Sequence, residues 1–189
     1  AVNPLQLDPS LQDRTVVING FSKAYAMTGW RIGYMAAPLP VVKAVVAIQG
    51  ASTSGSNAPT QYAGLRALDE DIAPEIESMR VVFGERLEVM LETFSKIPHI
   101  ICPRPQGAFY LMADFSGWLG STTPSGKLME TTIDLATYIL EEAGVAAVAG
   151  EGFEAPGYMR FSYAASKDDI REAARLIKEA LSQLTRGEK

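Results

Sequence analysis

The chain has 189 residues, 47% of them hydrophobic and 21% charged, with a formal net charge of −5 and one cysteine. That length can bury a sizeable core, and the composition is ordinary for a globular protein. The acidic balance and the lack of any Lys/Arg run speak against a nucleic-acid surface, and a lone Cys102 rules out an internal disulfide framework.

Residues 1–14 (AVNPLQLDPSLQDR) carry two prolines and no periodicity, and are expected as surface loop or the end of a longer segment. Thr15 to Asn19 (TVVIN) is a β-branched run of the kind found in buried parallel strands. It leads into a glycine-punctuated stretch, and a second strand is expected from Ile32 to Ala37, stopped by Pro38 and Pro40. Helices are expected over Val41 to Gln49 and Thr60 to Leu68, with a small polar loop between them. From Glu75 to Ile97 the residues Ile76, Met79, Phe83, Leu87, Met90 and Phe94 recur at three- and four-residue steps, which predicts one long helix with an apolar stripe.

Beyond it the pattern is that of a compact α/β unit. His99 to Cys102 and Ala108 to Ala113 are expected strands on either side of a PRPQG turn. A helix is expected from Lys127 to Ala143, stopped by Gly144, followed by a short strand over Val145 to Val148. Tyr158 to Tyr163 alternates, with Met159, Phe161 and Tyr163 on one face and Arg160 and Ser162 on the other. Ser166 and Asp169 form a capping-box signal for a last helix presenting Ile170, Ala174, Ile177 and Leu181. The longest apolar stretches are too short to cross a bilayer, and residues 1–20 lack a basic-then-apolar pattern. A cytoplasmic chain with no membrane partner is expected.

The chemistry centres on Lys23, just beyond the first strand, where ligands of α/β sheets usually bind. A neutral lysine amine can bond to an aldehyde, and partial burial beside a cation such as Arg31 would favour that neutral form. The Arg31 fork suits a phosphate, and nearby glycines allow close backbone approach. On these residues alone, a solvated surface lysine is the better account by a wide margin. His99 has no neighbouring cluster of metal-ligating residues, and Cys102 on an apolar strand reads as an inert thiol. Trp30 is expected packed beneath the glycine-rich stretch and Trp118 near an entrance.

Ser22 to Tyr34 (SKAYAMTGWRIGY) closely resembles the cofactor-lysine segment of class I/II aminotransferases, the fold-type I pyridoxal-phosphate enzymes, and most of all their bacterial aspartate and aromatic branch. The resemblance implies pyridoxal 5′-phosphate as cofactor, with Lys23 forming the Schiff base and moving the proton. It implies Arg31 as the phosphate clamp, with Ser22 and Gly20 close by; some relatives carry serine where Gly20 stands. Pro105 to Asp114 (PQGAFYLMAD) resembles the family's PxGAFY strand, and Ser52 to Gln61 the loop that reaches toward a neighbouring subunit's site. Gly157 to Ser166 (GYMRFSYAAS) resembles the segment whose arginine binds the substrate α-carboxylate, which makes Arg160 the substrate-binding residue. Without the motif, Arg160 pairing with a surface acid is the rival account. Val148 to Glu154 departs from the family's V-P-G-x-x-F-G, with Ala149 for proline and Glu154 for the last glycine. A less rigid and more acidic loop is expected there.

The implied fold is α/β: residues 1–68 as the C-terminal part of the large cofactor-binding domain, 69–97 as a linking helical region, and 98–189 as the small C-terminal domain. The resemblance also implies a homodimer acting on an amino acid and a 2-keto acid. The family's pyridine-nitrogen aspartate and its phosphate-covering glycine loop find no counterpart here, so the chain is expected to be a fragment, inactive alone. A lyase or synthase of the same fold, or a noncatalytic dimerisation unit, are the alternatives.

Overall fold

The computed structural model describes residues 3–186. The chain divides into two compact units, one ending at Ser78 and the other starting at Met79.

The first unit opens with a short helix, α1 (Pro4–Leu7), and a 3-10 turn (Pro9–Arg14), where an irregular loop was expected. The reason is local: Asn3 and Asp8 each cap the following turn, and each turn begins on a proline whose missing N–H costs nothing there. Strands β1 (Val17–Gly20) and β2 (Gly33–Ala36) pair antiparallel, from Val17 opposite Ala36 to Gly20 opposite Gly33. The expected parallel strand is therefore an antiparallel one. A β-branched run states that a strand forms but not which way its partner runs. Ile18 in β1 is 78% exposed, so this run is not buried on both faces within the unit. Helices α2 (Leu39–Ser52) and α3 (Ala58–Ala67) follow, the second capped by Asn57, whose side chain accepts from the Thr60 amide. Among the described residues of this unit, Phe21 and Met27 are the buried hydrophobic side chains.

Helix α4 (Ala73–Phe94) contains the boundary between the two units, and Leu87, Met90 and Phe94 from its stripe are buried. In the second unit β3 (Tyr110–Asp114), β4 (Val148–Ala149) and β5 (Tyr158–Ser162) form one antiparallel sheet in the order β3-β5-β4. His99 to Cys102 contributes a single bridge, Ile101 to Asp114, in place of the expected strand. Pro98, Pro103 and Pro105 around it have no N–H to extend a ladder. Helix α5 (Thr132–Ala143) starts five residues later than Lys127, because Thr131 and Asp134 close a capping box while Leu128 is drawn into a bridge with Thr122. Gly144 ends it in a left-handed conformation (φ 64°). Helix α6 (Lys167–Ser182) begins on the Ser166–Asp169 box.

The core of this unit lies between the sheet and α4, α5 and α6. Phe94, Leu111, Phe115, Leu135, Ile139, Met159, Ile170, Ile177 and Leu181 are almost wholly buried, and Phe161 meets the Phe94 ring edge-on at 5.0 Å. Each fully buried side chain of this size contributes about 1.5–3 kcal/mol. Met159 and Phe161 of β5 point into this core, which turns Arg160 to the opposite face of the sheet.

Candidate functional site

In the first unit, Gly20, Ser22, Lys23 and Arg31 all sit on the end of β1 or on the connection from it to β2. The connection is tied at its base, where the Phe21 amide donates to the Ile32 carbonyl at 3.3 Å. At Gly33 an added Cβ would meet the Asn19 carbonyl oxygen at 2.8 Å, so the two strands approach there as only glycine allows. A Cβ on Gly20 would meet nothing closer than 3.6 Å, leaving room for the serine of some relatives.

Two non-glycine residues of this connection, Ala26 (φ 53°) and Arg31 (φ 54°), are held in the left-handed region. Such a conformation costs a non-glycine residue about 1–2 kcal/mol. It is kept here by the 3-10 turn Thr28–Trp30, whose end Arg31 forms, and by the Arg31 guanidinium donating from Nη1 to the Thr28 carbonyl at 3.1 Å. Arg31 makes no ion pair among the described residues. Lys23 is exposed, rather than partly buried as its neighbours suggested. Trp30, expected to be packed, is 48% exposed. An open groove of about 650 Å³ in the same unit is lined by Phe21, Ile32, Tyr34, Gln61, Gly64 and Leu65 among others, and by neither Lys23 nor Arg31.

In the second unit the candidate residue Arg160 sits on β5, the central strand of the sheet. It lies opposite Met112 of β3 and Val148 of β4. Its guanidinium carbon lies 4.3 Å from the centre of the Tyr110 ring and 4.5 Å from that of Phe153, both inside cation–π range. A small cavity of about 160 Å³ opens beside it, lined by Tyr110, Ala146, Ala147, Val148 and Ser162. No described residue forms an ion pair with Arg160, whereas Arg66, Arg104, Arg171 and Arg175 each hold a carboxylate. A guanidinium that is part-buried against two rings, with no ion-pair partner among the described residues, has a donor fork of the shape that can pair with a carboxylate.

The Val148–Glu154 segment, expected to be less rigid and more acidic than usual, carries the two glutamates Glu151 and Glu154. Its residues Gly150–Phe153 form a 3-10 turn, and Glu151 is an anchor: its carboxylate accepts from the Thr132 amide at 2.9 Å and from the Thr132 hydroxyl in a short bond. Burial pushes the Glu151 carboxyl up, but the bonds from Thr132 and its own backbone outweigh this and leave it below its ordinary value. Glu154, where relatives carry glycine, closes the turn in the left-handed region (φ 55°). Tyr110, Phe153 and Glu151 were not singled out as site residues from sequence. The alternation of β3 could have placed Tyr110 on the face of Arg160, but nothing in the string pairs Glu151 with Thr132.

Trp118, expected near an entrance, is buried and donates its indole N–H to the Pro98 carbonyl at 2.9 Å. His99 is exposed, at φ 61°, and its ring nitrogen lies 2.5 Å from Arg186 Nη1. Burial raises the Cys102 thiol to about 11, in keeping with an inert thiol. No group of three or more metal-ligating side chains occurs among the described residues. No described helix is long and apolar enough to cross a membrane.

Residues 2–177 match the family model for aminotransferase class I and II. The chain is 43% identical over 178 residues to a probable aspartate/prephenate aminotransferase of Rhizobium leguminosarum bv. phaseoli, covering 93% of this chain and 44% of that protein. It is 39% identical over 186 residues to an aspartate aminotransferase of Rhizobium meliloti (strain 1021), covering 97% and 45%. The crystal structure of the Rhizobium meliloti aspartate aminotransferase superposes with a TM-score of 0.89 at 39% identity, over 98% of this chain and 46% of that one. The aromatic aminotransferase of Pyrococcus horikoshii OT3 superposes at 0.79 with 30% identity, over 90% and 44%. The chain thus spans just under half the length of the relatives it matches. With the family model matched along nearly its whole length and the fold shared with solved members, the chain belongs to the class I and II aminotransferases.

Proposed function

We propose that this chain carries the lysine-bearing and carboxylate-binding parts of an enzyme that moves an amino group from an amino acid to a 2-keto acid with pyridoxal 5′-phosphate. The family generally depends on that cofactor, uses such substrates and is commonly dimeric. The same proposal makes residues 1–68 part of the large domain, 69–97 the link and 98–189 the small domain, in a cytoplasmic homodimer.

The observation that carries it is Arg160, a guanidinium flanked by two rings with no acid partner among the described residues. The fit of the cofactor is supported by the donor set on the β1–β2 connection. Lys23 offers a primary amine for an aldehyde, Arg31 a guanidinium with no ion pair among the described residues for a phosphate, and Ser22 and Gly20 a hydroxyl and an uncrowded backbone nearby in the chain. When bound, pyridoxal phosphate supplies an electron-withdrawing ring that stabilises negative charge at the substrate α-carbon. Lys23 would hold the cofactor through its side-chain amine, and the same amine would serve as base and acid for the proton at the substrate α-carbon. Arg31 would hold the phosphate. Arg160 takes the α-carboxylate of the amino acid in one half-reaction and of the keto acid in the other, which orients the α-carbon for proton transfer.

The test is covalent trapping. The purified chain is mixed with pyridoxal phosphate, reduced with borohydride and digested, and the modified lysine is located by mass spectrometry. Lys23 is the expected site, and Lys23→Ala should abolish the adduct. Saturable modification at another lysine that persists in Lys23→Ala refutes the assignment. In a polypeptide extended to the full length of the relatives, Arg160→Ala should raise KM for both substrates.

A further inference from the structure

The two rings against Arg160 are held in unequal ways. Tyr110 belongs to β3, and the ladder to β5 fixes it diagonally from Arg160 on the same face of the sheet. Phe153 belongs to the turn Gly150–Phe153 and is 44% exposed. The turn follows directly on β4, whose pairing with β5 ends at Ala149 opposite Met159. Its own backbone bonds, from the Ala155 amide to Gly150 and from the Glu154 amide to Glu151, close the turn without reaching another element.

The side-chain attachment comes from Glu151. One carboxylate oxygen accepts from the Thr132 amide and the other from the Thr132 hydroxyl. Thr132 is fully buried and is the first residue of α5, so its amide is one of the donors that a helix start leaves without an internal partner. The positive end of α5 favours the ionised carboxylate there. The bond joins residues nineteen positions apart, Glu151 lying two residues before Phe153.

We propose that Glu151 is a positioning residue for Arg160: by fastening the Gly150–Phe153 turn to the start of α5, it keeps the Phe153 ring against the guanidinium and so keeps the arginine's fork ready for a carboxylate. This deepens the proposed role of Arg160 and rests on it. Glu151 itself touches no substrate. Its contribution is the ordering of one long, rotamer-rich side chain before binding, which corresponds to roughly a two- to tenfold effect on carboxylate affinity.

The experiment uses the chain with selectively labelled arginine, assigned by Arg160→Lys, and follows the Arg160 side-chain NMR signals in wild type, Glu151→Ala and Thr132→Val. Succinate is the titrated probe. Thr132→Val keeps side-chain shape and the backbone donor, so it reports even if Glu151→Ala fails to fold. Wild type should show Arg160 protons displaced upfield by the rings and moved by succinate. Both variants should lose part of that displacement and bind succinate more weakly, by roughly two- to tenfold in Glu151→Ala and less in Thr132→Val. Unchanged Arg160 signals in the folded variants overturn the proposal, as does lost ring displacement with unchanged succinate affinity. Wild-type Arg160 signals that ignore succinate overturn the carboxylate role itself, and this proposal with it.

Discussion

Replacing Glu154 by glycine tests the strain held in the turn beside Arg160. The backbone at Glu154 has φ 55° and ψ 30°, a left-handed conformation that costs an L-residue with a Cβ about 1–2 kcal/mol relative to glycine. Glutamate offers nothing in return: its side chain is exposed and makes no hydrogen bond or ion pair among the described residues. Glycine makes the unfolded chain more disordered, which takes back about 0.4–1 kcal/mol. The net expectation for Glu154→Gly is a gain of about 0.5–1 kcal/mol, or roughly 2–4 °C in melting temperature for a unit of this size. Thermal melts and urea titrations of wild type and variant, followed by circular dichroism, measure it. An unchanged or lower stability would refute the argument and mean that the glutamate makes a compensating contact or that the turn relaxes.

Gly150, at the other end of that turn, should behave oppositely. A Cβ there would collide with the Ala155 carbonyl oxygen and meet that of Tyr158 at 2.6 Å, so Gly150→Ala should cost about 2–3 kcal/mol in urea titration. Glu151 should lend the second unit a pH-dependent contribution. Its folded carboxyl lies below its ordinary value despite burial and the nearby Asp134, so the clamp is intact above about pH 4.5 and is lost as pH falls through the lower folded value. The stability gap between wild type and Glu151→Gln should therefore be present at pH 7 and close under acid; a gap constant to pH 3 refutes the linkage. Cys102, with its thiol raised from 9.0 to about 11, should react with iodoacetamide at pH 8 roughly 100-fold more slowly in the folded chain than in urea.

Much of the fold is legible in the string because its elements carry local signals. The stripe Leu87, Met90 and Phe94, the Ser166–Asp169 box and the Gly144 stop each act within a few residues, and each is in place. The core face of β5 follows from alternation alone, and with it the outward direction of Arg160. The pairing direction of β1 was missed because it depends on what lies across from the strand. The loss of a strand at His99 to Cys102 and the late start of α5 have local causes, the flanking prolines and the Thr131–Asp134 box, to which the apolar pattern is blind.

The site divides along the same line. The family is readable from the string, because the order and spacing of Ser22, Lys23, Thr28, Gly29, Trp30 and Arg31 are properties of one continuous segment. The string also named Arg160, through its own segment. Only tertiary structure decided the surroundings of those residues: an exposed Lys23, an Arg160 between the reach of two rings, and a Glu151 tied across the unit to Thr132. Spacing along a chain records which groups a site contains. Burial, ring contact and hydrogen bonding between distant residues arise when separate segments are packed together, and no single segment encodes them.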